Sequence, residues 1–259
     1  MLRCVSEGAC AQSDNGVRCH LVVIHVYIIQ VKPDTINHMY FESRSHAGAE
    51  LAEKLLGEYR YENCAVLALN DGAVLVGEQI AWRLHCVLML LLNEHIEVPG
   101  EGLSFGALSQ TGRLTVNSRF TDGQRDQYVQ EFYGYLEEEK RRAYQRINRL
   151  LGDNGIVDKD MLRDRTVILV SDGFSDDLSS LDVAIDFLKS VRTEKVVAVS
   201  PVASVAAIDR LHIAVDEMHI LDVKDNYMGV DHYYDSNDLP SREDTITKIN
   251  QIVLNWRLF

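Results

Sequence analysis

The sequence predicts an α/β protein built on a doubly wound parallel sheet. Short apolar runs without polar alternation recur along the chain, as expected for strands buried on both faces. They lie at 64–69, 86–92, 167–170, 196–202 and 218–223. Segments with helical periodicity separate most of these runs, and strands that alternate with helices indicate βαβ units. No internal repeat or low-complexity linker interrupts this order, so one domain is expected.

The most informative stretch is 166–188, TVILVSDGFSDDLSSLDVAIDFL. Its apolar run Val167–Val170 predicts the central strand, and 181–191 has one apolar face at helical spacing. The loop Ser171–Ser180 joins the two. A strand, a tight loop and a helix N-terminus often bind a phosphate, because unpaired amides and the helix dipole converge there. This loop carries aspartates where a phosphate site would favour glycine and hydroxyl groups.

The remaining elements follow from the same periodicities. We predict a helix over 43–59, a turn at Asn70–Gly72, a helix over 72–84, a loop over 93–102, a hairpin of 105–108 with 114–116, one long helix or two over 121–151, and helices over 204–215 and 242–256. The single domain is expected to span 39–259, with 121–151 as a helical insertion. Residues 1–38 are expected to be either a poorly ordered leader or an extra edge strand, and an alternative interpretation is that Met39 is the natural start.

Composition excludes several classes of function. A net charge of −13 and a pI near 5.1 argue against nucleic acid or an anionic membrane as a partner, since both need basic surface. The five cysteines show no CxxC spacing, so neither a disulfide framework nor a zinc site is predicted. Cys64 and Cys86 lie in apolar runs and are expected to be buried thiols. No stretch is long and apolar enough to span a membrane, and we expect a cytoplasmic protein.

Histidine is the other common metal ligand. His85, His95, His212, His219 and His232 show no ligand spacing, so we expect surface or core histidines and no metal site.

Several motifs follow one another in a fixed order. They are F-x-x-R-x-x-A-G-x-x-L-A at Phe41, Arg44, Ala47, Gly48, Leu51 and Ala52; V-L-A-L-x-x-G-x-V from Val66 to Val74; Pro99, Gly100, Gly106 and Ala107; V-I-L-V-x-D-G from Val167 to Gly173; and V-V-x-V-x-P-V-A from Val196 to Ala203. The aromatic stretch Tyr227–Tyr234 matches in type. From about Phe41 to Ser236 this series resembles the type I phosphoribosyltransferases, most closely the small bacterial predicted phosphoribosyltransferase branch.

The resemblance implies a ligand site for phosphoribosyl pyrophosphate (PRPP) in the loop after the central strand. In that family two acidic residues contact the ribose hydroxyls, and a T-G-x-T segment surrounds the 5′-phosphate. The acidic pair falls here on Ser171 and Asp172, and T-G-x-T falls on 176–179, which reads Asp-Asp-Leu-Ser. The candidate ligand loop therefore comprises Ser171, Asp172, Gly173, Ser175, Asp176, Asp177, Ser179 and Ser180.

Two further loops of the family contact pyrophosphate. Asp71 and Gly72 stand where an Arg-Gly pair is expected, and Asn93 and Glu94 lie near the place of a basic residue. Negative charge thus replaces positive charge at the anion-contacting positions. The sequence predicts a phosphoribosyltransferase-like protein with lost or altered PRPP binding. Its acidic pocket would bind a divalent cation or a cationic small ligand, or its carboxylates would only cap loops.

Two other interpretations remain open. In the first, the protein is an active phosphoribosyltransferase with an atypical site and a nucleobase-like acceptor; Asp172 then binds the ribose hydroxyls or the Mg²⁺ that bridges them, and Gly72 faces the pyrophosphate. Mg²⁺ with PRPP is the cofactor only in that case, and otherwise none is predicted. In the second, 167–177 resembles a strand and loop of von Willebrand factor A-type modules, although 70–73 lacks the D-x-S-x-S motif of those modules.

Tyr227, Tyr233 and Tyr234 either cover the pocket or pack the tail, and the 121–151 helix could form a homodimer arm.

Overall fold

The computed structural model describes residues 26–28, 40–100, 104–151, 157–237 and 239–256. Met39 and most of the predicted leader lie outside these residues. The strands are β1 (Val26–Ile28), β2 (Cys64–Ala68), β3 (Val87–Leu90), β4 (Asn93–Glu97), β5 (Ser104–Ser109), β6 (Leu114–Val116), β7 (Thr166–Val170), β8 (Lys195–Ser204) and β9 (Glu217–Lys224). The helices are α1 (Arg44–Tyr59), α2 (Asp71–Leu84), α3 (Asp122–Leu151), α4 (Ser179–Leu188), α5 (Val205–Ala214) and α6 (Arg242–Trp256).

Six strands form one sheet in the order β1-β9-β8-β7-β2-β3, and every neighbouring pair is parallel. This confirms the predicted doubly wound α/β fold. Strand β7 lies in the interior of the sheet between β8 and β2. Because all these strands run the same way, the loops after β2, β3, β7 and β8 meet at one edge of the sheet.

Alternate residues of β7 pack into two separate cores. Val167 and Leu169 belong to the core beneath α4 and α5, whereas Ile168 and Val170 belong to the core beneath α1 and α2. Both faces of the sheet are therefore covered by helices. This explains why the strand reads as a continuous apolar run rather than an alternating one.

A second sheet of three antiparallel strands, β4-β5-β6, lies beside the carboxyl edge of the main sheet. We refer to it as the hood sheet. The predicted hairpin is confirmed as β5 and β6, and Gly112 adopts a positive φ of 78° in its turn. The predicted loop over 93–102 is wrong at its start, because Asn93–Glu97 forms strand β4. Within β4, Ile96 packs against Phe105 while the polar side chains beside it reach the surface.

Helix boundaries differ slightly from the predictions. Helix α2 already begins at Asp71, since the side chain of Asn70 accepts a hydrogen bond from the Ala73 amide at 2.7 Å and caps the helix. Helix α3 consists of two helical segments joined at a kink, where the backbone of Phe132 is non-helical, and α4 spans Ser179–Leu188 rather than 181–191. In the described parts of the chain, no helix has the length and hydrophobicity needed to cross a membrane.

Candidate functional site

The first half of the 171–180 loop is buried and tied to β8. The amide of Ser171 donates to the Val199 carbonyl at 3.1 Å, and the amide of Phe174 donates to the Val202 carbonyl at 3.0 Å. The Ser171 hydroxyl donates to the carbonyl of Gly173 at 2.9 Å. The predicted ligand residues Ser171 and Gly173 are therefore engaged within the loop itself.

Asp172 is buried in the same segment and is held by an arginine. Its Oδ2 accepts a hydrogen bond from Nε of Arg44 at 2.8 Å, and only 4% of Asp172 is exposed. Its Oδ1 is also buried and accepts no hydrogen bond from the described residues. Burial raises the pKa of Asp172 above its usual range, and the contact with Arg44 opposes this shift only in part.

Arg44 connects the loop to the C-terminal part of the chain. Its Nη2 donates to Asp231 Oδ1 at 2.5 Å and its Nη1 donates to Asn237 Oδ1 at 3.1 Å. Its guanidinium lies 4.6 Å from the centre of the Tyr234 ring, and Arg44 itself is 1% exposed. In the sequence Arg44 stands out only as a motif position. An arginine in the first turn of a helix is unfavourable, because the helix dipole is positive at that end, and an arginine on the apolar face is unusual as well. This unusual placement could have indicated that Arg44 forms a buried ion pair.

Gly72 is required by the packing around this ion pair. A Cβ added at Gly72 would overlap Oδ2 of Asp172 and would lie 2.7 Å from Nε of Arg44. The start of α2 therefore approaches Asp172 more closely than any residue with a side chain permits. This packing explains why position 72 is a glycine, and no ligand contact is needed to explain it.

The acidic residues at the two predicted pyrophosphate positions are also paired with arginines. Asp71 Oδ2 accepts a hydrogen bond from Nε of Arg242 at 2.7 Å, and Glu94 Oε2 accepts one from Nε of Arg146 at 2.9 Å. Arg242 also lies 3.8 Å from the other oxygen of Glu94. Helices α3 and α6 thus supply positive charge that compensates these carboxylates, which the sequence patterns do not predict.

The second half of the loop faces the hood sheet. Asp177 Oδ1 accepts hydrogen bonds from the Ser179 amide at 3.0 Å, the Ser179 hydroxyl at 2.5 Å and Nδ2 of Asn117 at 3.1 Å. The Ser175 hydroxyl donates to the Asp177 carbonyl at 3.3 Å. Asp176 is exposed, and its carbonyl accepts from Arg119 at 3.3 Å. Asp177 therefore occupies the first amide of α4, which an anion would otherwise bind.

Ser180 contacts two side chains of β4. Its Oγ lies 3.1 Å from Oδ1 of Asn93 and 3.1 Å from Nε2 of His95. Nδ2 of Asn93 donates to the carbonyls of Leu69 and Leu91, so its Oδ1 is held towards Ser180. Nδ1 of His95 lies 3.6 Å from Oδ2 of Asp177. His95 therefore connects Ser180 and Asp177, a role for which its sequence context gives no signal.

Aromatic side chains of the tail lie against the buried half of the loop. The Tyr234 hydroxyl donates to the Asp172 carbonyl at 2.5 Å. A Cβ added at Gly173 would overlap the Tyr227 hydroxyl, which is buried and has no hydrogen-bond partner among the described residues. The Tyr233 hydroxyl instead accepts a hydrogen bond from the Met228 amide at 3.1 Å. Tyr227 and Tyr234 thus lie against the loop, whereas Tyr233 bonds within the tail.

Comparison with protein-family models gives no match, and comparison with curated proteins gives none either. Among solved structures, TT1426 from Thermus thermophilus is 27% identical, with a TM-score of 0.60, over 84% of this chain and 99% of that chain. A purine phosphoribosyltransferase from Pyrococcus horikoshii is 13% identical, with a TM-score of 0.39, over 70% of this chain and 83% of that chain. A hypoxanthine phosphoribosyltransferase from Staphylococcus aureus is 12% identical, with a TM-score of 0.41, over 75% of this chain and 80% of that chain.

Proposed function

We propose that this chain is a phosphoribosyltransferase-related protein in which PRPP binding is lost or altered. The collinear motifs of the sequence support the relationship. The position of the 171–180 loop, at the carboxyl end of an interior parallel strand, is also what that relationship requires. The observation that carries the loss of PRPP binding is the placement of Asp177 on the groups that a 5′-phosphate would need.

Asp177 opposes phosphate binding in two ways. Its Oδ1 already accepts the hydrogen bonds of the Ser179 amide and hydroxyl. A carboxylate about 4 Å from a phosphate oxygen also costs on the order of 4 kcal/mol per unit charge pair at an effective dielectric constant near 20. A neutral hydrogen bond returns only about 1 kcal/mol. The charge repulsion therefore outweighs the hydrogen bonds that the loop has left to offer.

The residues present do not fit a magnesium ion with PRPP. Magnesium in such sites is held by one or two carboxylates and by substrate phosphates. Asp172 is the acidic residue that the family motif retains, and the guanidinium of Arg44 lies against its Oδ2. Glu94 and Asp71 are likewise paired with arginines. Each of these carboxylates already has an arginine as its counter-ion, so a divalent cation would be repelled by that arginine or would have to displace it, and the proposal includes no bound metal.

The alternative is an active phosphoribosyltransferase that transfers ribose 5-phosphate to a nucleobase-like acceptor through an atypical site. One observation favours it. Oδ1 of Asp172 is buried and accepts no hydrogen bond from the described residues, so it could accept one from a ribose hydroxyl. This contact alone would not compensate for the altered phosphate loop.

Isothermal titration of the protein with PRPP and MgCl₂ tests the proposal. We expect no heat of binding at millimolar PRPP, and a Kd tighter than about 100 μM would overturn the proposal in favour of the active enzyme. A variant with the family loop, Ser171→Asp/Asp176→Thr/Asp177→Gly/Ser179→Thr, is expected to gain binding. Asp126→Asn, which makes the same net change of charge on the exposed face of α3, is the control and should gain none.

We also propose that the protein forms a homodimer through helix α3. Three large aromatic side chains of this helix, Tyr133, Tyr135 and Tyr144, are exposed by 64%, 41% and 43%. Light scattering of the purified protein would test this, and the mass of a monomer at micromolar concentration would contradict it.

A further inference from the structure

Three side chains, from helix α4, strand β4 and the loop before α4, are arranged as a nucleophile, a general base and a carboxylate that orients the base. Ser180 Oγ lies 3.1 Å from Nε2 of His95, and Nδ1 of the same ring lies 3.6 Å from Oδ2 of Asp177. This is the connectivity of a serine hydrolase triad, which is recognised by geometry rather than by sequence order. We propose that Ser180, His95 and Asp177 hydrolyse carboxylic esters by way of an acyl-serine intermediate.

The hydrogen bonds of Ser104 favour a proton on Nδ1 of His95. The Ser104 hydroxyl lies 2.9 Å from Oγ of Ser179 and donates to the Gly106 carbonyl at 3.0 Å, which leaves its oxygen to accept from Nδ1 of His95, 3.3 Å away. In this arrangement Nδ1 carries the ring proton. The lone pair of Nε2 then faces the Ser180 hydroxyl, as a general base requires.

Asp177 is held so that one oxygen remains for the histidine. Its Oδ1 accepts three hydrogen bonds, from the Ser179 amide, the Ser179 hydroxyl and Asn117. These bonds fix the carboxylate and direct Oδ2 towards Nδ1 of His95. The separation of 3.6 Å is longer than a hydrogen bond, and Ser104 Oγ is nearer to Nδ1, at 3.3 Å. Catalytic hydrogen bonds in enzymes without substrate are often long, and the proposal requires the ring to turn from Ser104 towards Asp177 when substrate binds.

Ser180 is placed where a nucleophile can be reached. It follows the turn from β7 into α4 and is the second residue of that helix, where backbone amides lack intrahelical acceptors. Such amides are the donors that stabilise an oxyanion. Ser180 is half-buried, and the side chains of His95 and Asp177 are 42% and 40% exposed, so a substrate can approach. Oδ1 of Asn93 and Nε2 of His95 both lie 3.1 Å from Ser180 Oγ, so they compete for its single proton, and the hydroxyl must turn from Asn93 to His95 for the reaction.

The proposed reaction balances without any cofactor. Ser180 Oγ bonds to the ester carbonyl carbon while its proton passes to Nε2 of His95. The bond between that carbon and the alcohol oxygen then breaks, and the alcohol leaves with the proton from Nε2. Water attacks the acyl-serine, His95 accepts its proton and returns it to Ser180 Oγ, and the carboxylic acid leaves.

The charges around Ser180 favour an uncharged or cationic ester. Asp176 and Asp177 flank the site, so an anionic acyl group would be repelled. The proposed site shares Asp177 and the predicted pyrophosphate position Asn93 with the proposed function. The two proposals can still fail separately, because ester hydrolysis without PRPP and PRPP binding without an ester are independent measurements.

Hydrolysis of p-nitrophenyl acetate by the full chain tests the proposal. We expect Ser180→Ala and His95→Ala to lower kcat/KM by about 10²-fold or more. Asp177 acts through the histidine as a positioning residue, so Asp177→Asn should lower kcat and leave KM unchanged. Added imidazole should restore activity to His95→Ala and not to Ser180→Ala, which a merely structural role of His95 would not produce.

Two control variants and a covalent label complete the test. Ser190→Ala, just after α4, and His46→Asn, on the surface of α1, should keep the wild-type rate. A fluorophosphonate should add one phosphonyl group to the unmodified protein, at Ser180 by peptide mass spectrometry, and this measurement does not depend on any variant folding. Wild-type hydrolysis no faster than in buffer, a wild-type rate in Ser180→Ala, or a label on another residue would each overturn the proposal.

Discussion

Replacing Arg44 by methionine should destabilise the protein more than the loss of any exposed ion pair. The substitution leaves the carboxylate of Asp172 buried, with neither oxygen paired to a cation. Removing one partner of a buried ion pair costs about 3–5 kcal/mol, because the remaining charge is uncompensated. The bond to Asp231 adds little, since that side chain is 60% exposed. We therefore expect Arg44→Met to lower the free energy of unfolding by about 3–5 kcal/mol at pH 7.

Urea unfolding followed by circular dichroism measures this loss, with the slope m checked for constancy. Arg83→Met is the matched control, because Arg83 and Glu53 form an exposed pair at 2.8 Å that is worth under about 1 kcal/mol. The double variant Arg44→Met/Asp172→Asn should recover at least about 1 kcal/mol relative to Arg44→Met, since no charge is left buried.

The pH dependence gives an independent check of the cause. Without Arg44 the pKa of Asp172, already raised by burial, rises further. The unfolded aspartate has a pKa near 3.9, so the unfolded chain loses this proton first as the pH rises. Stability of Arg44→Met is then lost as the pH rises from about 4 through the folded pKa. A loss below about 1 kcal/mol at pH 7, or an equal loss at pH 4.5 and pH 7, would refute the role assigned to this pair.

Three further predictions concern single positions. Gly72→Ala should lower the free energy of unfolding, measured in urea, by about 1–3 kcal/mol, because its Cβ would overlap Asp172. Gly57→Ala is the control, because Gly57 lies in helix α1 with open space around it and alanine there should be neutral or stabilising. Burial lowers the pKa of His219, so wild-type stability should fall as the pH drops below about 6.5, and His219→Gln should flatten this dependence in urea titrations. Burial raises the pKa of Cys64 to about 11 and that of Cys86 to about 12, so iodoacetamide at pH 8 should label these two thiols only in urea. Rapid labelling of Cys64 or Cys86 in the folded protein, located by peptide mass spectrometry, would contradict this.

The parallel sheet could be predicted from the sequence because burial on both faces leaves a direct trace. In β7 the residues on both faces of the sheet are apolar, because the residues of each face pack into a different core. Strand β4 leaves no such trace. Ile96 is fully buried in the hood sheet, but Glu94, His95 and Glu97 around it read as a polar loop. A short strand that buries few apolar residues cannot be distinguished from a loop by periodicity alone.

The ion pairs of the site could not be predicted because their partners are far apart in the chain. Arg44 is separated from Asp172 by 128 residues and from Asp231 by 187. Helical and strand periodicities relate only near neighbours, so they identify the acidic residues without the arginines that compensate them. The ion pair of Asp71 could not be predicted for the same reason, because its partner Arg242 lies on the last helix.

The proposed ester hydrolysis and the proposed loss of PRPP binding depend on the same aspartate. Asp177 stands where the family motif has glycine, and its Oδ1 occupies the Ser179 amide that would bind the phosphate. The bonds that hold Oδ1 in place also direct Oδ2 towards His95. A glycine at this position would free the amide and leave the histidine without its acidic partner. Asp177→Gly makes the loop more similar to the PRPP-binding motif of the family, and it should also lower ester hydrolysis. We therefore expect that no single residue at position 177 supports both activities.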